Sequence, residues 1–317
     1  MAFAARILLC DGVAKKAVEM LAAGGFAIEE SKALAEPDLI AKLAACPVEC
    51  LVVRSSTQVT KKVLDSQKGL KLVGRAGVGV DNIDVPAATA AGVKVMNTPG
   101  GNSNAVIELT LAFMLALART LPQADRSMKA GKWEKKAFKG IELKGKILGL
   151  LGVGRIGCEV ARRAKAFGMP VLGYDPYLAE TVLREVCEPV KSPDDIYRRA
   201  DFISIHTPLT DETRGMVGGP EFDKMKKGVR IINAARGGIL DEKYLLMHIK
   251  DGKVAGAALD VYSEEPPKYK ALLEEDRVIL TPHIGAATDE SQDACAQMLS
   301  SQIIEFFTKN RSVNVVN

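Results

Sequence analysis

The chain has 317 residues, of which 47% are apolar and 26% charged, and a formal net charge of +4. That balance excludes disordered, collagenous and low-complexity classes. Its basic residues are spread along the sequence instead of blocked, so nucleic acid is not an expected partner. At roughly 100–200 residues per domain, two domains are expected. Histidine is limited to His206, His248 and His283, too few for a His-rich metal site, and no metal is expected. The cysteines Cys10, Cys46, Cys50, Cys158, Cys187 and Cys295 contain no CxxC pair. They read as buried free thiols of a reducing compartment such as the cytosol. The apolar stretch at the amino terminus is too short for a signal peptide. The longest apolar stretch, Val106 to Ala118, contains Glu108 and falls short of the roughly 20 residues of a membrane span. It reads as a buried helix of a cytoplasmic protein, with no membrane partner expected.

In chain order, a strand is expected at Arg6–Cys10, a helix at Val13–Ala23 ended by Gly24-Gly25, a strand at Ala27–Glu29 and a helix at Glu36–Ala44. Strand Cys50–Val53, helix Lys61–Ser66, strand Lys71–Arg75, helix Val85–Ala91 and strand Val93–Met96 follow. This alternation makes a parallel, doubly wound sheet with helices on both faces. A long helix, Asn102 to Leu121, then leads into a second alternation. Its strands are expected at Lys146–Gly152, Pro170–Asp175, Pro189–Lys191, Phe202–His206, Val229–Ala234, Ala255–Asp260 and Val278–Thr281. Its helices are expected at Arg155–Phe167, Pro193–Arg199, Glu221–Met225 and Glu242–Asp251, and Glu290–Lys309 is a long final helix.

The strongest local motif is Gly152-Val153-Gly154-Arg155-Ile156-Gly157, set between a strand and a helix. Gly152 permits the tight turn, Gly154 lets a pyrophosphate approach the backbone, and Gly157 lets helix and sheet pack closely. The helix then presents free N–H groups and its positive dipole end to the anion. The next strand ends at Asp175, 23 residues after Gly152, the spacing of a ribose-binding carboxylate. Such an acid accepts hydrogen bonds from both ribose hydroxyls of NAD and repels the 2′-phosphate of NADP. Pro176 follows, with no Arg beside the acid in sequence, so NAD is the expected cofactor.

Ligands of open α/β sheets bind beyond the carboxyl ends of the strands. Arg236, Asp260, Glu265 and His283 all follow predicted strands there. Arg236 offers a planar fork for a carboxylate and its neighbouring carbonyl. His283 suits a general base that takes a hydroxyl proton as hydride leaves the same carbon. Glu265 suits a partner that fixes the histidine tautomer and raises its pKa, and Asp260 faces the nicotinamide side. His206 ends a strand without a paired acid in its segment, and His248 lies among Leu245, Leu246 and Lys250 and reads as structural.

Together with Val53–Thr57, Gly74–Asn82, Met96–Ser103, HTPLT, INAARGGILDE, GAALDVYSEEPP and TPHIGAAT, these motifs resemble the NAD-dependent D-isomer-specific 2-hydroxyacid dehydrogenases over nearly the whole chain. The resemblance implies a flavodoxin-like substrate domain over 1–99 with 287–317 and a Rossmann NAD domain over 100–286. It implies an Arg236–Glu265–His283 catalytic triad and substrate contacts from Arg54, Ser56, Arg75, Gly77 and Asn102. It extends the NAD contacts to Val78, Arg155, Ile156, Thr207, Ala234, Asp260, Gly285 and Ala286. Two arginines after predicted strands favour a doubly anionic substrate. The implied reaction is oxidation of 3-phosphoglycerate to 3-phosphohydroxypyruvate, the first step of serine synthesis. A hydroxypyruvate or glyoxylate reductase and an NAD-sensing, corepressor-like binding protein are the alternatives. The family also pairs through its cofactor domains. Here that surface would be Asn102–Leu121 and Lys129–Phe138 with Trp133, and Lys135 would reach the neighbour's site. Many relatives acting on that substrate continue into serine-sensing domains. This sequence stops at Asn317, soon after its last helix, either as a natural short form or as part of a longer chain, so serine feedback and tetramer formation through such domains are not assumed for it.

Overall fold

The computed structural model describes residues 4–317. Of the apolar amino-terminal stretch, Met1, Ala2 and Phe3 lie outside the described residues. The chain divides into two units, residues 1–103 with 286–317 and residues 104–285.

In the first unit, β1 (Arg6–Leu9), α1 (Lys15–Ala23), β2 (Ala27–Glu30), α2 (Glu36–Ala45), β3 (Cys50–Val53), α3 (Lys61–Asp65), β4 (Leu72–Arg75), α4 (Val85–Ala90) and β5 (Lys94–Met96) alternate strictly. The strands pair in parallel in the order β2-β1-β3-β4-β5, the flavodoxin-like order. β3 shows why the run CLVV is a central strand. Leu51 and Val53 enter one apolar cluster and Cys50 and Val52 the other, as a parallel strand covered on both faces requires. Thr60 and Asp84 cap α3 and α4 by accepting the N–H groups of Val63 and Ala87, each cap stabilising by about 1 kcal/mol.

The second unit contains α5 (Ser103–Arg119, its first residue in the first unit), α6 (Leu121–Lys129), β6 (Leu148–Leu151), α7 (Arg155–Ala166), β7 (Val171–Tyr174), α8 (Glu180–Arg184), β8 (Glu188–Pro189), α9 (Pro193–Arg199) and β9 (Phe202–Ile205). It continues with α10 (Gly219–Lys224), β10 (Val229–Asn233), α11 (Glu242–Lys250), β11 (Val254–Leu259), α12 (Lys270–Leu273) and β12 (Val278–Leu280). Its seven strands run in the order β12-β11-β10-β9-β6-β7-β8, the doubly wound Rossmann order with one added edge strand. Leu148 and Leu150 of β6 pack into one cluster and Leu151 into the other, so β6 is central and buried on both sides. The last helix, α13 (Asp289–Lys309), packs within the first unit, where Leu299 and Ile303 join the cluster of Ile7, Val52 and Met96.

Three expectations change. The helix expected through Leu121 stops at Arg119, because Thr120 adopts a left-handed φ of 47° and Pro122 starts the next helix, leaving a 65° bend. The short helices α6, α8 and α12 were not expected at all. The thiols are all free, but Cys46 and Cys158 are only half-buried. Among the described residues no single helix is long and apolar enough to cross a membrane.

Candidate active site

The glycine turn follows from strand register. Leu151 lies beside Tyr174 of β7 and Ile205 of β9, so Gly152, Asp175 and His206-Thr207 emerge together at one sheet edge. Gly152 takes φ +91°, and a Cβ there would come within 2.9 Å of the His206 carbonyl. A Cβ on Gly157 would lie 2.3 Å from the Gly152 carbonyl oxygen, whereas one on Gly154 would meet nothing within 4 Å. The turn is therefore tight against protein on one side and open on the other. No side chain caps α7, which starts at Arg155 beside the half-buried Ile156. Asp175 accepts the Val153 N–H at 3.0 Å through one oxygen and the Tyr177 N–H at 3.0 Å through the other, which fixes the carboxylate beside the turn. The Thr207 hydroxyl is buried without a hydrogen-bond partner, an orphan that a bound polar ligand would satisfy. These residues fit a dinucleotide: a diphosphate at the open face of the turn and a ribose on Asp175. The sequence showed no arginine next to this acid, yet folding brings Arg184 and Lys191 into the same cavity as Asp175.

A second cluster forms where β10, β11 and β12 end. Asn233, Leu259 and Leu280 are register partners, so the residues just beyond them share one edge. Arg236 follows β10. Its main-chain oxygen accepts the Asn233 side-chain amide at 2.9 Å, and its Nη1 donates to the Ala235 carbonyl at 2.7 Å. Ala234 is buried beside it. Gly237 crosses the loop after β11 so closely that a Cβ would sit 1.7 Å from the Tyr262 oxygen. That crossing holds Arg236 near Glu265.

Glu265 accepts the Tyr262 N–H at 3.1 Å with Oε1, and its Oε2 lies 2.7 Å from Nδ1 of His283. A carboxylate only accepts, so Nδ1 carries the proton and Nε2 keeps its lone pair. The hydrogen bond to Glu265 holds the His283 pKa above its ordinary value, against the lowering effect of burial. Burial pushes the Glu265 carboxyl up. The hydrogen bond and charge of His283, the Tyr262 N–H and the Arg236 guanidinium outweigh that, and the group sits below the usual carboxylate range. His283 itself has a left-handed φ of 53°.

Asp260, 1% exposed, anchors that backbone turn. Its Oδ1 accepts the Thr281 hydroxyl at 2.6 Å and the Ile284 N–H at 2.7 Å, and its Oδ2 accepts the Gly285 N–H at 2.7 Å. Asp260 thus grips both sides of His283. Sequence reading missed this clamp, along with the parts played by Tyr262, Thr281 and Gly237. The Gly237-Gly238 pair in ARGG was the available signal for a close backbone crossing.

The other two histidines stand apart from this cluster. His206 Nε2 lies 2.9 Å from the Ser204 hydroxyl, and burial pushes its pKa down to about 4, so it is neutral near pH 7. His248 is buried, stacks on Phe222 at 5.1 Å and meets Asp251 through Nδ1 at 2.9 Å.

In the first unit, Arg54 follows β3. Its N–H donates to Asp11 Oδ2 at 2.7 Å and its Nη1 to the Gly12 carbonyl at 3.2 Å. Asp11 also binds Thr57, and Asn82 donates to the carbonyls of Arg54 and Thr57, so the loop bearing the exposed Ser56 is tied at both ends. Arg75 ends β4. A Cβ on Gly77 would fall 1.3 Å from Arg75 Nη1, so Gly77 makes room for the guanidinium. Val78 accepts the Asn97 amide at 2.7 Å. Asn102 is half-buried just before α5, and Ala286 is half-buried where the chain re-enters this unit.

Residues 111–285 match the family described as D-isomer specific 2-hydroxyacid dehydrogenase, NAD binding domain. The chain is 47% identical over 319 residues to the D-3-phosphoglycerate dehydrogenase of Sus scrofa, covering 100% of this chain and 60% of that protein. It thus spans about 60% of the length of such curated relatives. Among solved structures it resembles the NAD-bound 3-phosphoglycerate dehydrogenase of Entamoeba histolytica, with a TM-score of 0.84 and 30% identity over 100% of this chain and 99% of that one. It also resembles a glyoxylate reductase from Paecilomyes thermophila, with a TM-score of 0.88 and 31% identity over 100% of this chain and 99% of that one.

Proposed function

Because the chain belongs to the D-isomer specific 2-hydroxyacid dehydrogenase family and carries its NAD binding domain, we propose that it oxidises 3-phospho-D-glycerate to 3-phosphohydroxypyruvate, the first step of L-serine synthesis. The observation that carries this reading is the contact between Glu265 and His283 beside Arg236. In the proposed reaction Arg236 grips the substrate carboxylate and polarises the reacting carbon's oxygen. His283 Nε2 takes the hydroxyl proton, and Glu265 stabilises the resulting imidazolium. Bound NAD supplies the hydride acceptor. Gly152, Gly154, Arg155, Ile156 and Gly157 would face its diphosphate and Asp175 its ribose. Val78, Thr207, Ala234, Asp260, Gly285 and Ala286 would complete its contacts. Arg54, Ser56, Arg75, Gly77 and Asn102 would bind the substrate, and two arginines suit a phosphate in addition to a carboxylate.

We further propose a homodimer formed through the second unit. No residue of α6 is buried, and Leu121, Met128 and Trp133 are exposed, Trp133 by 80%. A second copy covering this face, with Lys135 directed at the neighbour's site, would account for it, and sedimentation before and after Trp133→Glu tests the pairing. Free thiols favour the cytosol, and the small net charge favours neither nucleic acid nor membrane as partner.

A substrate panel tests the reaction. With NAD, 3-phosphoglycerate should give a higher kcat/KM than glycerate, and in reverse with NADH 3-phosphohydroxypyruvate should exceed glyoxylate and hydroxypyruvate. A preference for glycerate or glyoxylate rejects the phosphorylated substrate in favour of a reductase like that of Paecilomyes thermophila.

A further inference from the structure

Tyr262 is buried just after β11, and it touches the three loops that carry Arg236, Glu265 and His283. Its N–H donates to Oε1 of Glu265 at 3.1 Å. Its carbonyl oxygen is the atom that Gly237 crosses, next to Arg236. Its phenol reaches the loop after β12. The hydroxyl donates to the Thr281 carbonyl at 2.9 Å, with the Leu259 carbonyl second at 3.2 Å. The Thr281 carbonyl also accepts the N–H of His283 at 3.0 Å. One oxygen therefore receives both the phenol and the main chain of the histidine.

The other polar groups of Thr281 are tied to the end of β11, its N–H to the Leu259 carbonyl at 3.0 Å and its hydroxyl to Asp260 at 2.6 Å. The phenol completes that hold from the loop that also carries the acid. Burial and, after it, the charge of Asp260 push the phenol up to about 12, so it stays a donor wherever His283 titrates. We infer that Tyr262 is the positioning residue of the Glu265–His283 pair: its main chain sets the carboxylate, and its hydroxyl sets the backbone of the imidazole against that carboxylate. The inference rests on the reading above that His283 is the base.

The test is Tyr262→Phe, which keeps the ring in the core and the N–H on Glu265 and removes the hydroxyl alone. The charges that act on His283, those of Glu265, Asp260 and Arg236, all remain. The chain has only three histidines, so NMR of the full, histidine-labelled chain can follow the His283 ring with no substrate present. Its pKa should fall toward the ordinary 6.5, by roughly 0.5 as the contact with Glu265 loosens. With 3-phosphoglycerate and NAD, kcat should drop roughly threefold to tenfold, the worth of one hydrogen bond, while the KM for NAD holds. In a Glu265→Gln background the same substitution should move the His283 pKa much less, because the ion pair it tunes is already gone. An unmoved His283 titration overturns the inference whatever happens to Tm, since the hydroxyl then serves stability alone. An equal fall in both backgrounds also overturns it, since the hydroxyl then acts on His283 by a route other than Glu265. A titration that moves as expected in a chain with no turnover of any hydroxy acid supports the positioning and overturns the dehydrogenase reading instead.

Discussion

One carboxylate oxygen of Glu265 lies 2.7 Å from Nδ1 of His283, while its other oxygen is held by the Tyr262 N–H. The acid is fixed by the backbone as well as by the base, and Nε2 of His283 keeps its lone pair. The hydrogen bond to Glu265 raises the His283 pKa, and oxidation needs the neutral imidazole. Activity should therefore fall as pH drops through that raised value. The kcat/KM profile for oxidation should show an inflection above the ordinary histidine value of 6.5. Glu265→Gln removes the raising charge, so the inflection should move to lower pH while kcat declines. A pH series of initial rates checks the direction, and an unmoved inflection would detach Glu265 from the base.

Removing the base has a different signature. His283→Ala should lower kcat by about 10²–10⁴-fold, the range of general acid–base catalysis. NAD affinity, measured by calorimetry, should change little, since the glycine turn and Asp175 are untouched. Near-wild-type turnover would take His283 out of the mechanism.

The guanidinium of Arg236 is held at the protein end by its own loop, through the Ala235 carbonyl. Arg236→Lys keeps the charge and loses the planar fork. A lost charge-assisted hydrogen bond costs about 1.5–3 kcal/mol, so kcat/KM should drop roughly 10–100-fold. Full activity in this variant would place carboxylate recognition elsewhere.

Asp260 tests structure and chemistry together. Asp260→Ala strands the Thr281 hydroxyl and the N–H groups of Ile284 and Gly285, all satisfied by this one buried group. The Gly285 bond is buried and the other two are part-buried, so at about 1–3 kcal/mol for a buried donor left unpaired the second unit should lose several degrees of Tm in scanning calorimetry. Its kcat should fall too, because His283 sits inside the released segment. An unchanged Tm would mean that the clamp contributes little.

The legible parts of this molecule are those that repeat or lie close together in sequence. GVGRIG and Asp175 could be read because a strand, a turn and a helix follow one another within a few residues. The strand alternation could be read because fully buried runs such as CLVV and LGLL have no other stable use. Arg236, Glu265 and His283 could be grouped because each follows a strand. Contacts that depend on the third dimension were hidden. The Asp260 clamp spans about two dozen residues, and the approach of Gly237 to Tyr262 involves loops after different strands. Arg184 and Lys191 reach the Asp175 cavity only when β8 closes the sheet edge. The break at Thr120 was missed because the apolar period of α5 runs smoothly into it, while the signal for the stop was Pro122, two residues on.

The contact of Gly237 with Tyr262 binds the histories of two loops together. With a prospective Cβ only 1.7 Å from a main-chain oxygen, neither the arginine loop nor the glutamate loop has slack to lengthen, shorten or take a side chain at the crossing without moving the other. Substrate range in this chain is therefore free to drift through loops away from that crossing, while the two loops beneath it can change only as a matched pair.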